Sequence, residues 1–221
     1  MKLKNPRKTV LLWDNDGVLV DTEVLYFRAT RQAFSRVGVE LTAETYHRFF
    51  LKESSGTLLL AKENALPEQT AEQLRKERNR IYTRMLQTEN LIRPGVEQAL
   101  SSLKEREIKM GVVTSSHADH FKTIHDRTGY GRFFDFVING DDVAETKPSP
   151  EPYLKALQRA ACSPQECVAI EDSERGLLSA KAAGIACWVI PTELSRFGDF
   201  RLADEVLSSI SDVVRLIHPA N

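Results

Sequence analysis

Two acidic pairs, a lysine and a hydroxyl cluster are the residues of this sequence whose types and spacing could do chemistry. Asp14 and Asp16, in the segment Asp14-Asn15-Asp16-Gly17, directly follow a short apolar run. Two carboxylates at this spacing repel each other unless a cation lies between them or one of them carries a proton. Gly17 lets the backbone turn sharply there. Taken alone, the segment is better explained as an Asx-rich turn that closes a strand, so a functional interpretation depends on the other clusters.

Three further polar clusters follow later apolar runs in the same way. Thr114 and Ser115 offer hydroxyls and backbone amides that could hold phosphate oxygens without adding charge. Lys147 stands in a proline-containing loop that opens a helix, where its cation could neutralise a carboxylate and nearby phosphoryl oxygens. Glu171 and Asp172 form a second acidic pair, which would suit a hard cation such as Mg²⁺. Each cluster alone is common, but the four together indicate a site for phosphate and a divalent cation.

The elements that must bring these clusters together are those of an α/β fold. Five short apolar runs, at residues 10–13, 110–113, 136–138, 167–170 and 185–190, alternate with helical patterns. Runs of this kind are typical of strands buried on both faces of a parallel sheet. Predicted helices at residues 95–106 and 151–161 have the apolar faces needed to cover it. We therefore predict a doubly wound, parallel, Rossmann-like sheet whose ligands bind beyond the carboxyl ends of the strands.

Residues 22–90 interrupt this alternation because they show helical patterns only. Helices are predicted at 22–37, 58–65 and 68–91, and Gly38 after the first is predicted to be a left-handed C-terminal cap. The first helix carries Tyr26, Ala33 and Val37 on one face. We predict two domains on this basis. Residues 1–20 and 93–221 would form the α/β core, and residues 21–92 an inserted helical cap.

In type and order, the four clusters resemble the motifs of the haloacid dehalogenase (HAD) superfamily. Residues 14–23, Asp-Asn-Asp-Gly-Val-Leu-Val-Asp-Thr-Glu, are similar to its first motif, and Thr114, Lys147 and the pair Glu171-Asp172 resemble the other three. The resemblance spans residues 10–189. The helical insertion resembles the small cap class of the superfamily (C1-type), and the nearest subgroup is similar to the β-phosphoglucomutase-like phosphatases.

The resemblance implies a role for each of these residues in phosphoryl transfer. Asp14 would attack phosphorus and form an aspartyl-phosphate, which water then hydrolyses. Asp16 would protonate the leaving oxygen and later take a proton from water. Thr114 and Lys147 would bind the transferring phosphoryl group. Backbone amides would help them at three positions: Asn15, Gly17 and Ser115.

The resemblance also implies a cofactor, Mg²⁺. Its ligands would be Asp14, the main-chain carbonyl of Asp16, and Asp172. Glu171 would act nearby through water. The ion would supply electrostatic stabilisation for in-line transfer.

Two positions in the predicted cap bear on the choice between hydrolysis and phosphomutation. Sugar-phosphate mutases of the subgroup carry a histidine where Tyr26 stands, and a glycine-containing loop where residues 50–52 (Phe-Leu-Lys) stand. A mutase must also hold its phosphorylated intermediate against water. We therefore predict a phosphatase of small phosphorylated metabolites, either sugar phosphates or other phosphomonoesters. A phosphomutase of the β-phosphoglucomutase type is the alternative.

Two other classes fit the sequence less well. Dehalogenation at carbon needs neither the metal nor the second acid of the first motif, so Asp16, Glu171 and Asp172 argue against it. A catalytically silent binding module that docks partners through the cap would have no use for an intact Asp14 and Lys147.

Basic and histidine side chains outside the motifs are mostly explained without a role in substrate or metal binding. The predicted helix at 68–91 carries five of them: Arg75, Lys76, Arg78, Arg80 and Arg84. Because Glu72 and Glu77 lie among them, an exposed, ion-paired face is favoured, with Arg78 as the candidate for a contact in the cleft. The residues following Thr114 include three histidines at near-helical spacing: His117, His120 and His125. We interpret them as helix-surface residues rather than a metal site.

Composition limits the partners. Thirty basic residues face 31 acidic ones, so the formal net charge of -1 gives no global field to attract nucleic acid or an anionic membrane. No apolar stretch approaches the ~18 residues that span a bilayer, and the run after the basic residues 1–8 is too short for a signal peptide. Cys162, Cys167 and Cys187 lack metal-ligand spacing and are interpreted as reduced thiols. We predict a cytoplasmic protein that binds a small phosphorylated metabolite, without nucleic acid, membrane or obligate protein partner.

Overall fold

The fold is seen in a computed structural model that describes residues 10–53 and 55–217, so the basic residues 1–8 lie outside it. Its six parallel strands form one sheet in the order β3-β2-β1-β4-β5-β6. The strands are β1 (Val10–Trp13), β2 (Lys109–Val113), β3 (Phe136–Ile138), β4 (Cys167–Glu171), β5 (Ala186–Val189) and β6 (Glu205–Val206). The predicted α/β class is therefore confirmed. The sequence analysis missed β6, which has only two residues and is exposed at the sheet edge.

Strand β1 lies in the middle of the sheet, between β2 and β4. Val10 pairs with Lys109 on one side and with Cys167 on the other. The chain first adds β2 and β3 to one side, then crosses over and adds β4, β5 and β6 to the other. This reversal of strand order opens a crevice at the carboxyl end of β1, where doubly wound sheets bind their ligands. Asp14 is the first residue beyond that end.

The region between β1 and β2 is helical, as predicted. It contains α1 (Thr22–Ser35), α2 (Ala43–Tyr46), a π-helix (His47–Leu51), α3 (Gly56–Glu63) and α4 (Glu68–Thr88). The sequence analysis missed α2 and the π-helix, because such short segments show no clear helical period. They bury Tyr46, Phe49 and Phe50. Val37, predicted on the apolar face of the first helix, is exposed because α1 has already ended.

These helices bury side chains against one another, among them Phe34, Tyr46, Leu60 and Leu74. We refer to residues 22–88 as the cap helices. The two segments that join them to the sheet lie side by side, since Val20 forms an antiparallel bridge with Ile92. The division into two domains at residues 20/21 and 92/93 stays a prediction.

Five longer helices cover the two faces of the sheet: α5 (Val96–Glu105), α6 (Ala118–Thr128), α7 (Glu151–Ala160), α8 (Glu174–Ala182) and α9 (Ile210–Leu216). Leu11 and Trp13 of β1 belong to the cluster that α5, α6 and α9 complete. Val10 and Leu12 point the other way, into the cluster formed with α7 and α8. Alternate side chains of β1 thus point to opposite faces of the sheet, and helices cover both faces. The carboxyl ends of the strands remain available for the site.

Two observations bear on the setting in which the protein works. Across residues 10–53 and 55–217, no helix combines the length and the apolar character needed to cross a bilayer. Cys162, Cys167 and Cys187 form no disulfide in the part of the chain that the structure describes, as predicted, although Cys162 is only partly buried and its Sγ lies 3.0 Å from Sγ of Cys167.

Candidate active site

Lys147 lies at the centre of the predicted site. Its ammonium Nζ donates hydrogen bonds to Asp14 Oδ1 at 2.7 Å, to Glu171 Oε1 at 2.6 Å and to the Val113 carbonyl oxygen at 2.6 Å. The lysine is 2% exposed, and Glu171 is fully buried. Because β1, β2 and β4 are parallel neighbours, their carboxyl ends meet at one edge of the sheet and deliver all three acceptors to the same cation. The structure thus brings together residues from three of the four motifs.

Burial and mutual repulsion control the protonation of this cluster. Burial raises the pKa of Asp14 to about 8, against the opposing effect of Lys147. Burial also raises the pKa of Asp172 well above its ordinary value, and the neighbouring Asp14 carboxylate adds to the shift. Burial lowers the pKa of Lys147, but the Asp14 and Glu171 carboxylates outweigh it and leave a net increase. Lys147 therefore stays charged, and its single charge cannot neutralise three buried acids.

Three acids offer oxygens close enough to hold one cation. Asp14, Glu171 and Asp172 each present a carboxylate oxygen within 4.8 Å of the other two. Glu171 Oε1 is occupied by Lys147 and by the Tyr153 hydroxyl, which donates to it at 2.6 Å. Glu171 Oε2 and Asp172 Oδ2 are buried without a hydrogen-bond partner. Orphaned carboxylate oxygens among three buried acids that share one lysine fit a hard divalent cation such as Mg²⁺, which would favour their ionised forms.

Asp16 is surrounded by hydroxyl groups. Oδ2 accepts hydrogen bonds from Ser116 Oγ at 2.8 Å and from Thr114 Oγ1 at 3.3 Å. Oδ1 accepts from Thr22 Oγ1 and, at 3.4 Å, from the hydroxyl of Tyr82, which belongs to α4 of the cap helices. Sequence reasoning missed Ser116, Thr22 and Tyr82 as partners of Asp16, because nothing in the spacing of such common residues marks them.

Gly17 stands where the backbone passes close to Asp172. Its φ is +81°, and a Cβ at this position would lie 2.4 Å from Asp172 Oδ2. Its amide, predicted to bind phosphate, donates instead to the Val20 carbonyl oxygen at 2.9 Å. The structure therefore shows a packing reason for glycine here, independent of any contact with phosphate.

A cavity of about 690 Å³ lies between the strand ends and the cap helices, a size suited to a small metabolite. Its floor includes the predicted site residues Asp14, Asp16, Thr114, Lys147 and Asp172. Ser115 also lines it, and its Oγ is buried without a hydrogen-bond partner. The cap side includes Glu23, Tyr26, Arg78, Asn79 and Tyr82. The cavity is thus polar on both sides.

Arg78 is the basic residue of α4 that turns inward. It is 7% exposed, and its guanidinium donates to Thr57 Oγ1 at 2.7 Å and to Asn79 Oδ1 at 2.8 Å. The same group lies over the Tyr26 ring, 4.6 Å from its centroid. Several of its neighbours form exposed ion pairs instead: Arg75 with Glu72, Lys76 with Glu72, and Arg80 with Glu77. Arg78 is held by neutral groups and so presents its charge to the cavity.

The three histidines of α6 and its N-terminal boundary have separate partners. His117 contacts Asp141 Oδ1 at 2.6 Å, and His120 Nε2 lies 3.0 Å from Thr83 Oγ1. His125 contacts Asn15. In the part of the chain that the structure describes, Asp14, Glu171 and Asp172 are the one group of three potential metal ligands.

Glu23, in the cavity wall, is a carboxylic acid with a raised pKa. Its Oε1 accepts a hydrogen bond from the Tyr46 hydroxyl. Burial raises the pKa of Glu23 from 4.5 to about 7, a shift that Tyr46 opposes and the charge of Asp16 increases. The folded protein therefore binds a proton at Glu23 more tightly than the unfolded chain does.

This difference predicts a pH-dependent effect of Glu23→Gln. The stability that the bound proton contributes is fully present below pH 4.5 and is lost as the pH rises to about 7. Between these values, the free energy of unfolding of the wild type should fall by up to about 3 kcal/mol relative to the variant. Urea unfolding at several pH values measures this. Glu193→Gln, at a carboxylate that is 91% exposed, is the matched control and should show no such trend.

The fold and the site together define an α/β enzyme whose polar groups follow the strands of a doubly wound sheet beneath a set of cap helices. A family model described as "Haloacid dehalogenase-like hydrolase" matches residues 11–190. The chain therefore belongs to this family of hydrolases, and the resemblance seen in its motifs is confirmed.

Two relatives and a solved structure show similarity over most of the chain. "Phosphorylated carbohydrates phosphatase" of Thermotoga maritima is 34% identical over 79% of this chain and 81% of its own. "Protein CbbY" of Cereibacter sphaeroides is 32% identical over 92% of this chain and 93% of its own. A solved structure of CbbY from Rhodobacter sphaeroides with xylulose-(1,5)bisphosphate has a TM-score of 0.78, at 26% identity, and covers 92% of this chain and 95% of that one.

Proposed function

We propose that this chain is a Mg²⁺-dependent phosphatase that hydrolyses small phosphorylated metabolites through an aspartyl-phosphate on Asp14. The observation that carries the proposal is the bridge made by Lys147 between Asp14 and Glu171, beside an Asp172 oxygen with no partner. A buried cation that contacts a potential nucleophile is suited to neutralise charge in the transition state. The relatives named as phosphatases support the same reaction.

The reaction proceeds in two displacements. A carboxylate oxygen of Asp14 forms a bond to phosphorus while the bond from phosphorus to the leaving oxygen breaks, and Asp16 gives its proton to that oxygen. A water oxygen then forms a bond to phosphorus while the bond from phosphorus to the Asp14 oxygen breaks. Asp16 takes a proton from the water, and phosphate leaves with the Asp14 carboxylate restored. Lys147, the Thr114 hydroxyl and the Ser115 hydroxyl and amide hold the phosphoryl oxygens. The main-chain amide of Asn15 completes this set of donors.

The residues that would hold Mg²⁺ are Asp14, Asp172 and the main-chain carbonyl of Asp16, with Glu171 nearby through water. When bound, the ion supplies positive charge that offsets the excess of carboxylates and stabilises the transferring phosphoryl group. Asp172 has one oxygen without a partner, so it needs no rearrangement of existing hydrogen bonds to act as a ligand.

Phosphorylated sugars or sugar alcohols are the substrate class that the cavity favours. Beyond the strand ends, its wall offers a carboxylate (Glu23), an amide (Asn79), a guanidinium (Arg78) and a hydroxyl (Tyr82). Such groups match the hydroxyls of a polyol and, at Arg78, a further anionic group. The relatives fit this reading, since one is named for phosphorylated carbohydrates and the CbbY structure contains a sugar bisphosphate.

We also propose that the enzyme works in the cytoplasm on a small metabolite, without nucleic acid, membrane or an obligate protein partner. The lack of a disulfide among the cysteines of the described residues is typical of a reducing compartment. The near balance of charge supports the absence of a nucleic acid partner.

Phosphate release from a panel of hexitol phosphates, aldose and ketose phosphates, phosphoglycolate and p-nitrophenyl phosphate tests the proposal. We expect release that requires Mg²⁺, disappears in EDTA and returns when Mg²⁺ is added back. Asp14→Asn serves as the blank. Release that persists without any divalent cation would contradict the metal assignment.

The same panel separates the alternatives. Exchange of phosphate between two positions of one hexose phosphate, faster than its release, would replace the phosphatase by a phosphomutase. A folded protein that binds Mg²⁺ but releases phosphate from no member of the panel would indicate a silent binding module.

A further inference from the structure

Two hydrogen bonds in series link His125 to Asp16 through Asn15, from behind the cavity. His125 on α6 is 7% exposed, and its Nε2 lies 2.9 Å from Oδ1 of Asn15. Asn15 is fully buried between the two acids of the first motif, and its Nδ2 donates to Asp16 Oδ2 at 3.3 Å. Neither His125 nor Asn15 is among the residues that line the cavity. The pair therefore contacts the site from within the protein.

The neighbours of these two side chains determine which atoms donate. Burial lowers the pKa of His125 to about 4, so its ring is neutral at pH 7 and carries one N–H. Oδ2 of Asp16 already accepts hydrogen bonds from the Thr114 and Ser116 hydroxyls, so Asn15 presents its donor Nδ2 to this oxygen and leaves Oδ1 facing His125. His125 must then carry its proton on Nε2. The other tautomer would set two acceptors face to face and bury an unpaired N–H at Nδ1, which has no partner.

Neighbouring residues hold both His125 and Asn15 in place. The His125 ring stacks on Phe121, with centroids 4.0 Å apart, and meets the edge of Phe134 at 6.0 Å. The main-chain carbonyl oxygen of Asn15 accepts a hydrogen bond from the Leu19 amide at 2.9 Å, which holds the backbone of this residue. The hydroxyl donors around Asp16 can rotate with it, whereas the side-chain amide of Asn15 is held between His125 and Asp16.

We propose that His125 is a positioning residue, which holds the Asn15 amide and through it fixes the Asp16 carboxylate for proton transfer. The inference rests on the proposed function, in which Asp16 serves as acid and then as base. An acid that serves both half-reactions must stay within hydrogen-bonding reach of two oxygens, and small displacements of such a group are costly. His125 touches neither substrate nor the reacting atoms.

The test compares His125→Leu, His125→Gln, Asn15→Leu and the double variant His125→Leu/Asn15→Leu. The substrates are p-nitrophenyl phosphate and the alkyl phosphate of the panel that the wild type hydrolyses fastest. We expect His125→Leu to lower kcat on the alkyl phosphate by about 10-fold to 100-fold with little change in KM. His125→Gln, which keeps a donor near the position of Nε2, should recover most of this loss. The double variant should be no slower than the slower single variant.

The leaving group supplies a second readout. p-Nitrophenolate leaves without a proton, so an acid misplaced by His125→Leu should slow p-nitrophenyl phosphate hydrolysis by less than about 3-fold. Lys122→Met, at an exposed position of the same helix, should leave both rates within about 2-fold of the wild type. Equal losses for His125→Leu and His125→Gln, or equal losses on both substrates, would overturn the positioning role.

A measurement without substrate separates this inference from the proposed function. In ¹⁵N–¹H spectra of the imidazoles, His125 should appear as the Nε2–H tautomer, and Asn15→Leu should shift its signals. The Nδ1–H tautomer, or signals that Asn15→Leu leaves unchanged, would overturn the inference even in an active enzyme. A wild type that releases no phosphate but shows these signals would instead contradict the proposed function and retain the hydrogen-bonded chain.

Discussion

Replacing Asp14 by asparagine is expected to lower kcat by about 10⁴-fold or more, because the side-chain amide cannot attack phosphorus. The protein should stay folded. Asparagine has nearly the same shape, and burial already raises the pKa of Asp14 to about 8, so the fold of the metal-free protein does not depend on a charge at this position. Lys147 keeps its contacts with Glu171 and with the Val113 carbonyl oxygen. The variant thus removes a nucleophile without removing a structural support.

Three measurements check this expectation. Phosphate release gives kcat, thermal unfolding followed by circular dichroism reports the fold, and acid quenching followed by mass spectrometry detects a phosphoryl group on the peptide that contains Asp14. Wild type should show the modified peptide during turnover, and Asp14→Asn should not. Asp126→Asn removes a carboxylate from an exposed ion pair with Lys122 and should behave like the wild type. Turnover of Asp14→Asn within 10-fold of the wild type would assign the nucleophile elsewhere.

The central part of the fold could be predicted from sequence because its strands are buried on both faces. Val10 to Trp13 are all buried, so the run is continuously apolar and ends abruptly at Asp14. The signal fails where burial is absent or the segment is short. β6 pairs through two exposed residues, Glu205 and Val206, and therefore has no apolar pattern to detect.

The floor of the site was predictable for a related reason. Asp14, Lys147 and Asp172 are polar residues beside buried strand ends, where a solvated turn does not explain them. Their partners were not predictable. Tyr153 and His125 lie on helices whose patterns indicate only sheet-covering faces, and their contacts with Glu171 and Asn15 depend on how those helices pack.

Side chains of the cap helices were the least predictable part of the site. Arg78 and Arg80 are two residues apart on α4, yet one is buried against Tyr26 and the other is exposed. The rotation of the helix about its own axis decides this. The sequence analysis named Arg78 as the candidate for a contact in the cleft, but it could not identify Thr57 and Tyr26 as its partners. Substrate selection resides in these contacts, which explains why the sequence points to a reaction more clearly than to a substrate.

Of the variants predicted in this protein, Lys147→Met should lose the most stability and, after Asp14→Asn, the most activity. Methionine fills a similar volume but has no charge, so Asp14 and Glu171 would lose the ammonium that contacts both at 2.6–2.7 Å. Breaking a buried ion pair from one side costs about 3–5 kcal/mol in free energy of unfolding. The loss of a cation beside the phosphoryl group should lower kcat by about 10²-fold to 10³-fold.

Mg²⁺ separates these two effects of Lys147→Met. Because the cation would bind the same acids, it should restore part of the stability lost in urea unfolding, whereas kcat should stay low, since the ammonium is absent from the phosphoryl site. The gain from Mg²⁺ should be larger at pH 8 than at pH 6, because the metal requires ionised carboxylates. Lys155→Met, which removes a lysine from a partly exposed pair with Glu151, is the matched control and should change neither quantity. A Lys147→Met enzyme with wild-type kcat would show that the buried ammonium serves the fold alone, and would remove it from the proposed mechanism.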